Sequence, residues 1–203
     1  MIRRAVGLRA PPSITMQLFN TMSRSIIEYC SPVWSPSSVG DIQRVERLQR
    51  GMTRYAMHYP DHLDYKQRCI ELDLLPLSYR REIHDLTIFF KGVNGLNRVN
   101  FSQFSQFYSS NGRRTGDSGP LLRIPLVRTE CFSNSYFNQI VRLWNARPSS
   151  FCTCDNLDVF KRQVSSHYKN LLVNHFNCTD LCTWRANCRC QRCLCTSSQT
   201  IFQ

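Results

Sequence analysis

The densest chemistry in this chain is a run of thiols: Cys178, Cys182, Cys188, Cys190, Cys193 and Cys195, with His175 just upstream. Thiolates this close in sequence can converge on one ion, because a tetrahedral zinc site is assembled from pairs a few residues apart on tight turns. Cys178 with Cys182 and Cys190 with Cys193 are the natural pairs, the second a true CxxC, and these four are the candidate zinc ligands. A reduced, redox-labile tail and disulfides are the other two fates open to the same thiols. Their crowding, without an apolar h-region in Met1 to Pro12, favours metal over a disulfide framework. Arg185, Arg189 and Arg192 interleave with the cysteines and Trp184, which places charge and a stacking ring around the expected ion, as in nucleic-acid-binding zinc knuckles.

A second constellation is a helix predicted to start at Asp41. Ile42, Val45, Leu48, Met52 and Tyr55 are spaced as one apolar face, and Arg44, Arg47, Arg50 and Arg54 cluster on a separate arc of roughly 120°, with Glu46 outside the apolar stripe. A core-facing side next to an arginine side suits a helix lying along a phosphate backbone, since guanidinium forks bind phosphate oxygens without reading sequence. A solvated basic face is the plainer reading of the same pattern.

Catalytic constellations are harder to find. Two-metal polymerase chemistry needs closely grouped carboxylates, yet the nine aspartates are scattered and no Asp-Asp pair occurs. No catalytic magnesium site and no phosphate-cradling P-loop are therefore expected. His58 and His62 share an i, i+4 spacing but lack the intervening glutamate of a zinc protease and straddle Pro60. The histidines read as surface or core residues, and the chain as no enzyme on its own.

These groups must be positioned by helices. Ser13 is placed to cap a helix presenting Ile14, Leu18, Met22 and Ile26, and Ser31 to Pro36 reads as an irregular connection whose Trp34 docks on the core. After the arginine helix, 61–75 and 78–93 read as two more, the latter carrying Tyr79, Ile83, Leu86 and Phe90 and stopping at Gly92 and Gly95. Residues 97–120 dissolve into Ser, Gln, Asn and Gly and read as a linker, with Phe101, Phe104 and Phe107 expected to pack. Residues 121–127 are a candidate edge strand because Pro125 excludes a central one. Helices are then expected over 132–144, with Tyr136, Phe137, Ile140, Val141 and Trp144 on one side, and after Asp155, with Leu157, Phe160, Val164, Tyr168 and Leu171. The fold class is mainly α.

Composition agrees with a basic, folded chain. Of 203 residues 42% are apolar, enough for a buried core, and 26 Lys and Arg against 14 Asp and Glu give +12. Such a surplus attracts polyanions and gains free energy as phosphates shed counterions, so RNA and DNA lead as partners. No apolar run approaches the roughly 20 residues that span a bilayer, so no membrane partner is expected; the sequence does not fix the compartment of an intracellular chain, nuclear or cytoplasmic.

Several strings resemble one family. Ile26-Ile27-Glu28-Tyr29-Cys30-Ser31-Pro32-Val33-Trp34-Ser35-Pro36 is similar to the LEYCSPVWSP segment after the palm of jockey-like non-LTR (LINE) reverse transcriptases, and Asp41 to Arg50 resembles their DIxxLERVQRR helix. Leu74 to Lys91, then Arg128-Thr129-Glu130 with Arg142-Leu143-Trp144-Asn145 and Pro148, then Leu157 with Phe160-Lys161, are similar to later segments in the family's order. Ala146-Arg147 departs from the usual small residue and Leu before that proline.

The resemblance implies the thumb and C-terminal extension of an RNA-directed DNA polymerase, gripping template-primer while absent fingers and palm do the chemistry. It implies a helical thumb-like bundle over 1–96, the linker 97–120, a smaller helical extension over 121–175 and a Cys-rich tail over 176–203. The start at Met1 reads as a truncated copy or a predicted open reading frame. A stand-alone zinc-dependent interaction module and an inert retroelement relic are the rival readings.

Overall fold

The computed structural model describes residues 2–7, 10–59, 62–98, 101, 106–107, 121–148, 151, 154 and 156–175. Among them the chain is mainly α, as expected, and its one extended pairing is an isolated antiparallel bridge between Phe107 and Leu122. The chain divides into two compact units: Met1–Arg81 with the segment that begins at Tyr168, and Glu82–His167. Most of the expected linker, and the whole tail over 176–203, lie outside the described residues.

The first unit begins with α1 (Ile2–Val6), α2 (Pro12–Leu18), a π-helical stretch (Phe19–Arg24) and α3 (Ser25–Glu28). Pro11, not Ser13, occupies the N-cap and makes no side-chain bond there, while Pro12 supplies a first-turn φ at no hydrogen-bond cost. The expected apolar stripe also fails: Thr15, Met16 and Phe19 are buried, whereas Ile14, Met22 and Ile26 are exposed, Ile26 by 75%. Steps of four residues drift by about 40° each around a helix, so four such positions sweep about 120° instead of lining one stripe. The π turn rotates the chain further, and the Thr21 and Ser25 hydroxyls donate to the Gln17 and Thr21 carbonyls there at 3.0 and 2.6 Å.

Ser31–Trp34 is a short helix, α4, where an irregular connection is expected. Trp34 stays partly exposed instead of docking on the core, its Nε1 donating to the Tyr29 carbonyl at 2.7 Å. Then come α5 (Val39–Ala56) and α6 (Tyr65–Glu71), the latter shorter than the expected 61–75 because Asp64 caps it and Asp73 turns left-handed after it. Ile2, Met16, Phe19, Ala56 and Leu74 make an apolar core in this unit, with Val6, Leu18, Met52 and Leu72 against it.

Helix α7 (Leu77–Val93) buries Tyr79, Leu86 and Phe90 as its spacing predicts, and Phe89 as well. It ends in a Schellman motif, with Gly95 left-handed and Leu96 N–H donating to the Lys91 carbonyl at 2.8 Å. Gly92 has a different reason: a Cβ there would sit 1.8 Å from the Phe101 ring.

The second unit is aromatic at its centre. Phe89 meets Phe101 and Trp144 with centroids 5.5 and 4.8 Å apart, Phe90 stacks on Phe160 at 4.2 Å, and Phe151 meets Phe160 edge-on at 6.0 Å. Phe107 is not packed but exposed, and Phe104 lies outside the described residues. No strand forms over 121–127; Leu122 is held by the Asn145 amide, which accepts from its N–H and donates to its carbonyl at 2.8 Å each. The helix expected over 132–144 is two, α8 (Glu130–Ser133) and α9 (Tyr136–Asn145), because Thr129 and Ser135 each start one. In the last helix, α10 (Leu157–His175), Phe160, Val164, Tyr168 and Leu172 are buried, Leu172 taking the place expected for Leu171.

Candidate nucleic-acid interface

Helix α5 begins at Ser38, whose Oγ accepts from the Asp41 N–H at 3.3 Å, so Asp41 is a first-turn acid rather than the cap. Its inward face is only in part the expected apolar one: Ile42 and Tyr55 are buried as expected. Ile42, Glu46, Gln49, Thr53 and Ala56 are buried and fall within about 80° of one another, while Leu48 is 53% exposed and Val45 and Met52 are half-buried. Glu46, expected outside the stripe, is fully buried on this face.

Partners from elsewhere in the first unit make this possible. Glu46 accepts from the Tyr65 hydroxyl and from the backbone N–H groups of Leu77 and Ser78 at 2.9 and 3.2 Å, so its carboxylate caps the first turn of α7. The Gln49 amide donates to the Tyr65 oxygen at 3.0 Å and to the Leu75 carbonyl at 2.9 Å. One helical turn later Arg68 Nε donates to Thr53 Oγ1 at 3.4 Å and its Nη1 to the Leu63 carbonyl. Burial pushes the Glu46 carboxyl up, outweighing the Tyr65 and backbone donors that pull it down. Burial, and then the Glu46 charge, push Tyr65 well above its ordinary range, and the Cys69 thiol beside it is pushed up to about 12 by burial.

This network fixes the rotation of α5, and the arginine arc lies on the side away from it, centred about 140° from the buried face. Arg44, Arg47 and Arg54 are exposed, and Arg50, nearest the buried face, is half-buried. Arg44 pairs with Asp41 at 3.2 Å on an exposed surface, a contact worth little net energy. The Arg50 Cζ stands 5.1 Å from the Tyr65 centroid, and the Arg68 Cζ 5.9 Å from the same ring. Arg54 lies 5.8 Å from the centroid of Tyr59, which itself meets Tyr55 edge-on at 6.1 Å. The structure thus brings the four predicted arginines to one side of one helix.

Tyr59, Tyr65 and Arg68 are the site residues that sequence reasoning missed. The signal available was the Asp64 to Gln67 spacing, which forms a capping box and fixes where α6 starts. From that start, Tyr65 and Arg68 lie one turn apart. Arg185, Arg189, Arg192 and the proposed ligands Cys178, Cys182, Cys190 and Cys193 lie outside the described residues. Among the described residues no three His, Cys, Asp or Glu side chains gather as a metal site, and no helix is long and apolar enough to cross a membrane. No protein-family model, curated protein or solved structure matches this chain.

Proposed function

We propose that this chain is a non-catalytic, C-terminal part of a non-LTR retrotransposon reverse transcriptase and that it holds template-primer RNA and DNA through the arginine side of α5. The observation carrying the reading is that side itself: Arg44, Arg47 and Arg54 exposed along a helix whose opposite face is tied down by Glu46, Gln49 and Thr53. Ten residues from Arg44 to Arg54 rise about 15 Å. That is the length of about four nucleotide steps at 3.4 Å each along one strand. The order of the family-like strings supports the assignment, and the fingers and palm of the parent polymerase are the partners that would do the chemistry.

Each phosphate neutralised contributes about −0.9 to the slope of log K against log salt on B-DNA. Four contacts predict a slope near −3.6, and each of Arg44→Ala, Arg47→Ala and Arg54→Ala should flatten it by about 0.9. Fluorescence anisotropy with labelled duplexes between 50 and 200 mM salt measures this; an affinity indifferent to salt sinks the reading. Primer extension by this chain alone should give no product.

For the tail, zinc held by Cys178, Cys182, Cys190 and Cys193 fits ligand type and pairing, with Arg185, Arg189 and Arg192 adding phosphate contacts. Metal analysis of reduced protein should find one zinc, and Cys190→Ser should lose it. Reduced protein free of zinc ends the proposal.

A further inference from the structure

Three helices of the first unit and its neighbouring sequence end in the same way, and one of them ends with a difference. In α6 and α7 the left-handed residue is Asp73 or Gly95, and the next residue, Leu74 or Leu96, donates its N–H back to Cys69 or Lys91 at 2.8 Å with an ordinary negative φ. In α5 the motif is complete in its hydrogen bonds, His58 N–H to the Tyr55 carbonyl at 3.1 Å and Tyr59 N–H to the Arg54 carbonyl at 2.8 Å. Here, however, the chain stays left-handed for a second residue, with φ 56° at His58 and 59° at Tyr59. The motif asks for one such residue, and a non-glycine in this region is strained because its Cβ crowds the following carbonyl oxygen.

The side chain at this place is buried after α6, where Leu74 joins the apolar core, and exposed after α5 and α7, Tyr59 by 43% and Leu96 by 57%. Of the two exposed residues Tyr59 is the one that carries a ring. Its ring stands edge-on to Tyr55 and next to the Arg54 guanidinium. Burial above all lowers Arg68, and the Arg54 charge lowers it further, so a second guanidinium is within electrostatic reach of the first. Asp64, the cap of α6 and a carboxylate acting on Arg68, accepts from the Gln67 N–H at 2.7 Å.

We infer that Tyr59 is a stacking platform for an unpaired base, with Arg54 beside it to take the adjoining phosphate, so that this end of α5 receives single-stranded nucleic acid. The inference rests on the proposed arginine grip and extends it: the side of α5 follows a backbone, and its end takes up a nucleotide that has left the duplex. Aromatic rings with neighbouring arginines bind single strands this way because every base has a π face and every step a phosphate.

The test uses the full chain and four labelled probes: a U12 RNA, a dT12 DNA, a 12-base-pair RNA duplex, and dT12 with abasic sites. Tyr59→Ala should weaken binding to both single strands about tenfold, the share of one stacked base at ~1.4 kcal/mol, and leave the duplex unchanged. Tyr59→Phe should keep wild-type affinity, since the ring and not the hydroxyl stacks. Tyr59→Gly should bind as weakly as the alanine variant while relieving the left-handed strain, so that its loss cannot be a folding defect. The abasic strand should bind wild type and Tyr59→Ala alike. Equal losses on single strand and duplex, or failure of phenylalanine to rescue, overturns the inference. So does poly-glutamate competing as well as U12, which would assign the site to an acidic protein. Salt-dependent duplex binding together with single-strand binding indifferent to Tyr59 would overturn this inference alone; loss of salt dependence on every probe would remove the arginine grip beneath it.

Discussion

The two compact units of this chain are held by different physics. In the first, α5 turns Glu46, Gln49 and Thr53 inward, and each finds a partner of fixed geometry: the Leu77 and Ser78 amides, the Leu75 carbonyl, the Tyr65 hydroxyl, the Arg68 guanidinium. In the second, Phe89, Phe90, Phe101, Trp144, Phe151 and Phe160 meet in edge-on and stacked pairs. Aromatic burial is large and tolerant of small adjustments, while a buried polar network is satisfied only if every member is in place. The polar unit is therefore the one whose geometry is fixed most narrowly, and it carries the arginine side. On the proposed reading, a helix that cannot rotate keeps the arginines at the spacing a phosphate backbone requires.

The sharpest way to break this contrast is to delete one anchor in each unit. Phe160→Ala removes a fully buried ring from the aromatic centre and should cost about 3–5 kcal/mol by urea denaturation, while Phe160→Leu, which keeps most of the volume, should cost clearly less. A loss below about 1 kcal/mol for the alanine variant would mean the aromatic cluster is not what holds this unit.

Glu46→Gln should cost somewhat less, about 1–3 kcal/mol, because its amide NH2 faces N–H donors where a carboxylate oxygen accepted them. It also sharpens the comparison through pH. The Glu46 carboxyl is raised in the folded state, so its contribution is complete below the unfolded value of 4.5 and is lost as pH rises through the folded value. His167, edge-on to Phe151 at 5.5 Å, is lowered by burial, so its contribution is present above 6.5 and is lost as pH falls through the folded value. The two units thus carry opposite pH slopes. Denaturation midpoints from pH 4 to 8 should show Glu46→Gln removing the first slope and His167→Phe the second; unchanged slopes in both variants would refute the assignment.

Asp64→Ala is the smallest expected effect. It removes half of the capping box at the start of α6 and should cost about 1 kcal/mol. Because α6 supplies Tyr65 and Arg68, hydrogen exchange of the Leu77 and Ser78 amides should quicken with it; if exchange at those amides is untouched, the network is less cooperative than its bonds imply.

The sequence carried a good deal of this. Periodicity alone located α5, α7, α9 and α10, since a helix of ten or more residues repeats its pattern within one window. The arginine arc needed only the 100° turn per residue to be seen, and the structure places Arg44, Arg47, Arg50 and Arg54 together as that geometry requires. Short elements were less legible: α4 and α8 have four residues each, too few for any period to show. The 121–127 segment reads as a short edge strand, but a strand also needs a neighbour to pair with along its length, and Asn145 meets the needs of Leu122 instead.

What the sequence by itself determined is where the long helices run and which arginines share a side, because both follow from local geometry. Which face of α5 turns inward was decided by the tertiary structure. Hydrophobicity favoured Val45, Leu48 and Met52, and a window along α5 contains nothing to satisfy a buried Glu46. The groups that do so, Tyr65, Leu77 and Ser78, are 19, 31 and 32 residues away. A polar side chain is buried when its partners arrive already oriented, and their arrival is a property of the fold.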